Sequence, residues 1–587
     1  MSRIRSQLSY YDLTGGLNNV STPDSINSST KRTETPDMVN VEFFKLGGIK
    51  SMEGNTQFGD KQNKAIVGGW EYTKGDNKYM IIALYDGKLK IYNEVTGEFD
   101  QIYQFPNNSG RVSFCNMNNG VVATNGVDDP VFYEKGRHTL FSGTVAITQG
   151  SKNVVGTSTS FDVEVNPGDW VDIHGTIYVI DQIADDKHLT LKTNAIETLS
   201  AQNMYLSTIS QCNATLVNED DPNVHTAIRG KAIQFYNGRL WIGGENGVFY
   251  SQVGQYNKWD IKYDAGVLYS IYNDTSEVKA LGLYSDYMLI HKEYNTYLLT
   301  CTGDSTSIAV KPYSNVSCDS QQSFVVSNTK YYVYSRENMD IYPLSQRTIF
   351  SDRYLGEAIT NKVRNVFQNL RDADLENIFC VTLPRKRWML FYMPMVDQVG
   401  SSYALIFDFQ CKAFIVRKVP QNVTIAFNYL NEVYIGTEDG YVLKEFEGYT
   451  FNGQPIIAYY KSPWFDWAGD YFHSFSEFAI DMASEYNNNY YIRTFKDGDS
   501  PYEDRIINSG ELASSGLIWD GDTHIDNNTT KWDKDVWVSG SFNSIRMLLP
   551  NQVFETFQVE IGTDKLGQGF AIYGFNFRRI ETEEAPW

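Results

Sequence analysis

The sequence predicts an all-β chain: a β-propeller with an extended N-terminal arm, an inserted small β domain and a C-terminal β-sheet domain. Three observations lead there. Aromatic residues make up 14% of the chain, with 40 Tyr, 33 Phe and 11 Trp, and Tyr and Phe favour pleated, half-buried surfaces. Short apolar runs alternate with Gly- or Asn-containing turns over hundreds of residues. The opening segment carries paired glycines at both ends and one short apolar strand between them.

Residues 1–60 form the arm. Gly15-Gly16-Leu17-Asn18-Asn19 is followed by Thr35-Pro36-Asp37-Met38-Val39-Asn40-Val41-Glu42-Phe43 and then Leu46-Gly47-Gly48-Ile49. The polar run Ser21–Thr30 reads as extended chain that becomes ordered against a neighbour. From 61 to 140 the pattern becomes strand, tight turn, strand. Tyr79–Tyr85 is apolar, Asp86-Gly87 is a hairpin signal, and Lys88–Tyr92 alternates polar with apolar. Thr96-Gly97 then turns into Glu98–Ile102.

The unit recurs between 208 and 465, at 237–251, 287–299, 331–342, 403–416 and 432–444. This is the grammar of propeller blades, small sheets that hide their faces by stacking. The repeat is too degenerate to set a blade count, and several separate β-sandwiches are the competing architecture. Two segments interrupt it. Residues 141–207 hold five short strands, at 143–147, 153–157, 169–173, 176–180 and 188–192, and read as a small barrel or sandwich. Between 354 and 372, Leu355, Ala358, Ile359, Val363, Val366, Phe367 and Leu370 recur at helical spacing, with Ser351-Asp352 as cap. Longer alternating strands fill 466–587, at 475–481, 490–495, 536–538, 557–561 and 570–577.

Charge and composition narrow the function classes. The net charge of −21 disfavours general nucleic-acid binding, which needs phosphate neutralisation. It suits simple solubility or the wall of a conduit that repels DNA. Six cysteines, at 115, 212, 301, 318, 380 and 411, form no CxxC pair, so neither a metal knuckle nor a disulfide framework is expected. Met1–Gln7 lacks an apolar run after its arginines, so no signal peptide is expected there. No stretch approaches the roughly 20 apolar residues of a membrane helix, so no membrane insertion is expected.

Searching for chemistry yields little. HExxH, nucleophile-elbow, Walker and dinucleotide motifs are missing from the sequence. No catalytic residue, cofactor or metal is therefore assigned, and no enzyme activity is expected. Asp497-Gly498-Asp499, and Asp520-Gly521-Asp522 with Asp526, offer oxygens for calcium but read better as surface turns. Carboxylates such as Glu219 and Asp220 leave glycoside hydrolysis open, since its geometry is spatial. One basic knot, Arg385-Lys386-Arg387, sits at a hairpin tip. It is either a solvated turn or a contact to an acidic neighbour or passing phosphate.

The arm resembles that of the tail hub or nozzle proteins of short-tailed bacteriophages, the tail tubular protein B and tail stabilisation protein family. The matching positions are Gly15, Gly16, Leu17 and Asn18, then Pro23 and Asp24, then Asn40, Val41 and Phe43, then Gly47, Gly48 and Ile49. Gly567-Gln568-Gly569-Phe570-Ala571-Ile572 is similar to the family's C-terminal strands, and the insertion from Gly143 to Lys192 to its small β modules. Lys45-Leu46 is less charged than the family pattern. The resemblance implies a structural virion protein made in the host bacterial cytoplasm. It implies a homohexameric ring below the portal and its adaptor, the head-to-tail connector. Tail fibre or spike and needle proteins are the implied further partners, and viral DNA passes transiently through the channel. It carries no catalytic residue. A carbohydrate-binding or glycan-cleaving β-propeller is the alternative, and a host propeller scaffold a third reading.

Overall fold

A strand buried on both faces sends alternate side chains into two different cores, and that is the recurring arrangement in this chain. The computed structural model describes all residues except 1–4, 22–31, 45–46, 108–109, 137–138, 328–329, 336–338, 345–356, 370–376, 394–401, 466–470, 484–488, 499–500, 509–517, 521–531, 537–541, 548–553 and 585–587. Among the described residues the fold is all-β apart from helical segments of one or two turns. Two compact units are present. One comprises 59–337 and 343–356, the other 1–58, 338–342 and 357–587.

In the first unit, Ile66–Lys74, Asn77–Leu84, Lys88–Asn93 and Glu98–Gln104 form an antiparallel meander. The second sheet orders Ser113–Met117, Gly120–Thr124, Val131–Tyr133 and Ile209–Gln211. Ala232–Tyr236, Arg239–Gly244, Gly247–Tyr250 and Gly266–Leu268 make the third. Val278–Tyr284, Tyr287–Lys292, Thr296–Thr300 and Ala309–Ser314 make the fourth, and Phe324–Ser327 pairs with Lys330–Ser335. At the turn into Arg239–Gly244, Asn237 and Gly238 both lie in the left-handed region, φ 46° and 76°, which suits the twist of a two-residue hairpin.

Consecutive sheets pack face on face. Ile81 and Leu89 of the first meet Phe114 and Val121 of the second. Cys115 and Val122, next in sequence, point the other way, toward Ile233 and Ile242. Trp241 and Val248 in turn share a core with Leu281 and Ile290 of the fourth sheet. His291 follows Ile290 and is fully buried. It stacks on Phe324 and Tyr331.

The insertion leaves after Val131–Tyr133 and returns at Ile209–Gln211. All five expected strands form, as Thr144–Ile147, Asn153–Thr157, Trp170–Ile173, Thr176–Ile183 and His188–Leu191. With Leu199–Gln202 and Met204–Leu206 they make one seven-stranded sheet. It encloses Phe161, Val171, Ile180 and Leu191.

The second unit holds two more four-stranded sheets. Phe379–Leu383, Trp388–Met393, Ser402–Asp408 and Ala413–Val419 form one. Val423–Tyr429, Glu432–Thr437 and Val442–Glu445 form the other, whose fourth strand is Asn55–Gln57 from the arm. Two larger sheets carry the C-terminal strands. Asp37–Val39, Ala458–Lys461, Phe557–Thr563, Asn489–Lys496 and Pro501–Asn508 lie in order in one. The other runs Phe542–Met547, Tyr471–Ala483, Ala571–Glu584, Ile49–Ser51, Val41–Phe43, with Arg5–Tyr11 also paired to Ala571–Glu584. Phenylalanines fill the space between, with Phe465 4.9 Å from Phe577 and Phe475 4.9 Å from Phe557 between ring centroids.

Helical spacing near 354–372 gives a shorter element than expected. Arg364–Asn369 is a 3-10 turn, led by Val363 and Val366 amides bonded three residues back. Val363 and Phe367 are buried, while the Thr360 hydroxyl and Arg364 guanidinium are both held by Asp340. Those tethers favour the tighter i to i+3 winding. The cap Ser351-Asp352, Leu355 and Leu370 lie outside the described residues, as does the 537–538 end of the expected strand at 536–538. No helix among the described residues is long and apolar enough to cross a membrane.

Candidate functional site

Among the described residues, the signature positions of the arm are held by backbone pairing, side-chain hydrogen bonds and burial. Gly16-Leu17 pairs in parallel with Glu34-Thr35, and the Gly15 amide donates to Thr33 O (3.1 Å). Gly16 has φ 79°, and a Cβ there would stand 2.7 Å from Ala413 Cβ. Leu17 is buried, and Asn18 Nδ2 donates to Glu34 Oε2 (2.6 Å). Lys362 closes on the same carboxylate.

Asn40 is the tightest point. It is 1% exposed and left-handed at φ 54°. Its Nδ2 donates to Lys418 O (3.0 Å) and Ile457 O (2.8 Å), and its Oδ1 accepts from Lys418 N (2.9 Å). Phe43 pairs opposite Ile49, Gly47 O accepts from Leu13 N and Gly48 O from Phe44 N, both at 2.7 Å. Ile49–Ser51 then pairs with the closing phrase, Lys50 against Ala571 and Ile49 against Ile572. The two stretches that carry the resemblance are therefore neighbours in one sheet. Pro23, Asp24, Lys45 and Leu46 lie outside the described residues.

Residues that sequence reasoning missed lock the next strand. Arg417 and Glu445 are both fully buried and 2.6 Å apart. Arg417 also donates through Nη1 to Glu53 O (2.8 Å) and through Nη2 to Gly54 O (2.9 Å). Its guanidinium lies over the Phe446 and Phe451 rings, 4.3 and 4.9 Å from their centroids. Glu445 accepts from Asn55 Nδ2 (2.8 Å) and Tyr392 OH (2.9 Å). Burial, then the carboxylate beside it, pushes the Tyr392 phenol well up, so it stays a donor. The only sequence signal was a pair of charges near the end of each strand, Arg417-Lys418 and Lys444-Glu445.

Gly54 sits in the same clasp, where a Cβ would stand 1.9 Å from Thr450 O. Gly54→Ala is expected to lower stability by about 1–3 kcal/mol through overpacking against backbone, read as a drop in the denaturation midpoint. An unchanged midpoint would remove the close approach from the account.

The basic hairpin lies beside this clasp. Pro384–Lys386 is a 3-10 turn, and Arg387 is left-handed at φ 56°. Arg385 Nε donates to Glu432 (3.0 Å) and Nη2 to Phe446 O (2.9 Å). Lys386 meets Glu42 (2.6 Å) and Glu53 (3.0 Å), with its ammonium 4.8 Å from the Trp388 ring centroid. Together with burial, which works the other way, Lys386 and Arg385 leave the Glu53 carboxyl below its ordinary range. Two of the three cations are thus engaged by carboxylates of the same chain, and Arg387 is exposed.

Of the acidic turns, Asp497 spends Oδ1 on the amides of Glu555 (2.7 Å) and Thr556 (3.1 Å). Asp499, Gly521, Asp522 and Asp526 lie outside the described residues. Among the described residues no three His, Cys, Asp or Glu side chains converge to hold a metal ion. What the arm and its clasp do chemically is pair most of their polar groups internally, the buried Oδ1 atoms of Asn19 and Asn55 excepted, and fix a strand.

No protein-family model matches this chain, and no curated protein matches it. Among solved structures, the crystal structure of the computationally designed Ika8 protein is similar over 67% of this chain and 99% of that chain, at 12% sequence identity and a TM-score of 0.33. A likeness at that score carries no argument.

Proposed function

We propose that this chain is a structural virion protein, one subunit of a homohexameric ring that forms the hub or nozzle of a phage tail. It would sit below the portal and adaptor, carry fibre or spike and needle proteins, and surround the channel for DNA ejection. The observation behind the reading is Asn55–Gln57 of the arm completing the sheet of Val423–Glu445. A propeller is sealed when a strand from one end of the chain completes the blade at the other. On this reading the six four-stranded antiparallel sheets among the described residues, and the hairpin of Phe324–Ser327 with Lys330–Ser335, are its blades. Sealing leaves few open edges, which suits a wall that must transmit force without unzipping. The excess of 71 acidic over 50 basic residues supports a channel that does not grip DNA.

Light scattering on the purified protein, alone and with the tail adaptor, tests this. The expected mass is six times the 66.9 kDa chain, with rings in electron images. A particle that keeps the mass of one chain in both conditions overturns the proposal.

A further inference from the structure

A cleft of about 730 Å³ opens in the first unit, between the hairpin Thr215–Val217/His225–Ala227 and the loop 252–263. Its volume falls in the roughly 300–1,000 Å³ range of ligand clefts. The walls are tied together: Val217 N donates to Trp259 O (3.1 Å) and Trp259 Nε1 to Cys212 O (3.0 Å). Most of the charge in the cleft is spent on that framework. Asp129 accepts from the Asn213 and Ala214 amides (2.8 and 2.7 Å) and faces Arg229 at 3.7 Å. Arg229 donates to Ala214 O and Ile228 O. Asp260 accepts from the Lys262 and Glu219 amides (2.9 and 3.3 Å).

What remains for a ligand is different in kind. Asn213, Thr215, His225, Gln252, Asn257 and Lys258 line the cleft, and among the described residues their side chains carry no hydrogen bond to the chain. Amides and hydroxyls both donate and accept. At the rim the Tyr263 hydroxyl is anchored on Glu219 (2.7 Å) and the Lys262 ammonium lies 5.8 Å from the ring centroid, while the residue stays 55% exposed and offers the other ring face as an apolar flank.

We infer that this cleft binds a neutral oligosaccharide. Sugar hydroxyls, each donor and acceptor, match the amide pairs, and the C–H face of a pyranose matches the tyrosine ring. A simple anion is disfavoured, because the Asp129 and Asp260 carboxylates line the same cleft as Arg229 and Lys258. The inference is independent of ring assembly: a monomer that binds sugar would sink the ring and leave the cleft standing.

Saturation-transfer NMR on the full chain tests it. The probes are soluble oligomers of α-1,4-glucose, β-1,4-glucose and β-1,4-N-acetylglucosamine, with inorganic phosphate as competitor. At least one oligomer is expected to receive saturation, phosphate is expected not to displace it, and Gln252→Ala/Asn257→Ala is expected to weaken binding about tenfold or more with an unchanged melting curve. Asn213→Ala serves as the second variant should that pair fail to fold. The inference is overturned if no oligomer receives saturation, if phosphate displaces the sugar, or if the signal survives in the folded variants.

Discussion

Arg417→Ala is expected to destabilise the second unit by about 3–5 kcal/mol, the range for removing one partner of a buried ion pair. The guanidinium makes three separate attachments, to the Glu445 carboxylate and to the carbonyls of Glu53 and Gly54. Deleting it strands a carboxylate that is 0% exposed and keeps only Asn55 and Tyr392 as donors. The Glu53 carbonyl loses its Arg417 partner as well, at a desolvation cost, while Gly54 O keeps the Glu447 amide (3.2 Å). Arg417→Lys keeps the charge but not the fork, and a single ammonium cannot serve acceptors spread over Glu445, Glu53 and Gly54. Its expected loss is intermediate. Arg385→Ala is the control, since that residue pairs with Glu432 while 40% exposed, and surface pairs contribute about 0–1 kcal/mol. Hydrogen exchange at Asn55–Gln57 and Val442–Glu445 localises the effect, with faster exchange expected there first. If Arg417→Ala and Arg385→Ala cost the same, the clasp does not hold the arm.

That clasp also marks where the sequence stops being informative. Local features were legible because they depend on neighbours in the chain. Asp86-Gly87 turns where a hairpin needs a left-handed residue, with Gly87 at φ 85°, and the five strands of the insertion fall where alternation placed them. Strand pairing over distance was not legible, because period-2 alternation names a face and not a partner. Nothing near Asn55 says that it will lie beside Glu445. Likewise Arg385 and Lys386 look like free charge at a hairpin tip until Glu42, Glu53 and Glu432 arrive from elsewhere. The helical spacing around Val363 was real, but Asp340, more than twenty residues upstream, set the winding by holding Thr360 and Arg364. Arg417 was readable only as an oddity, one of two adjacent cations, with Lys418, closing the apolar run of Ala413–Val419.

Acidification is expected to destabilise the first unit through His291, with a slope near 1.4 kcal/mol per pH unit for one proton. The imidazole is fully buried, and burial pushes it down to about 3 from 6.5. Its tautomer follows from its partners. The Thr296 hydroxyl donates its hydrogen to Val316 O (2.6 Å), so at 2.8 Å it accepts from His291 Nδ1–H. Nε2 then accepts from Tyr331 OH (2.9 Å), and among the described residues no carboxylate contacts the ring to welcome a second proton. Below pH 6.5 the unfolded chain binds that proton and the folded chain does not, so the stabilisation is complete above 6.5. It falls away as the pH drops toward 3, and the slope levels once both forms are protonated. Asp274 acts further down. Although burial works against it, hydrogen bonds from Ser276 and Tyr297, with Lys292 nearby, hold its carboxyl at about 2. Its contribution is present above 3.8 and is lost only between there and 2. Denaturant titrations from pH 7 to 4 stay above the Asp274 window, and comparison with a His291 variant separates the histidine from the carboxyls that also shift, Asp129 upward by burial and Glu219 and Glu53 downward. In His291→Phe the bond between Tyr331 OH and Nε2 is lost, so stability drops at every pH, but the slope over that window is expected to flatten by one proton. An unchanged slope in that variant would show that the acid sensitivity belongs to another group.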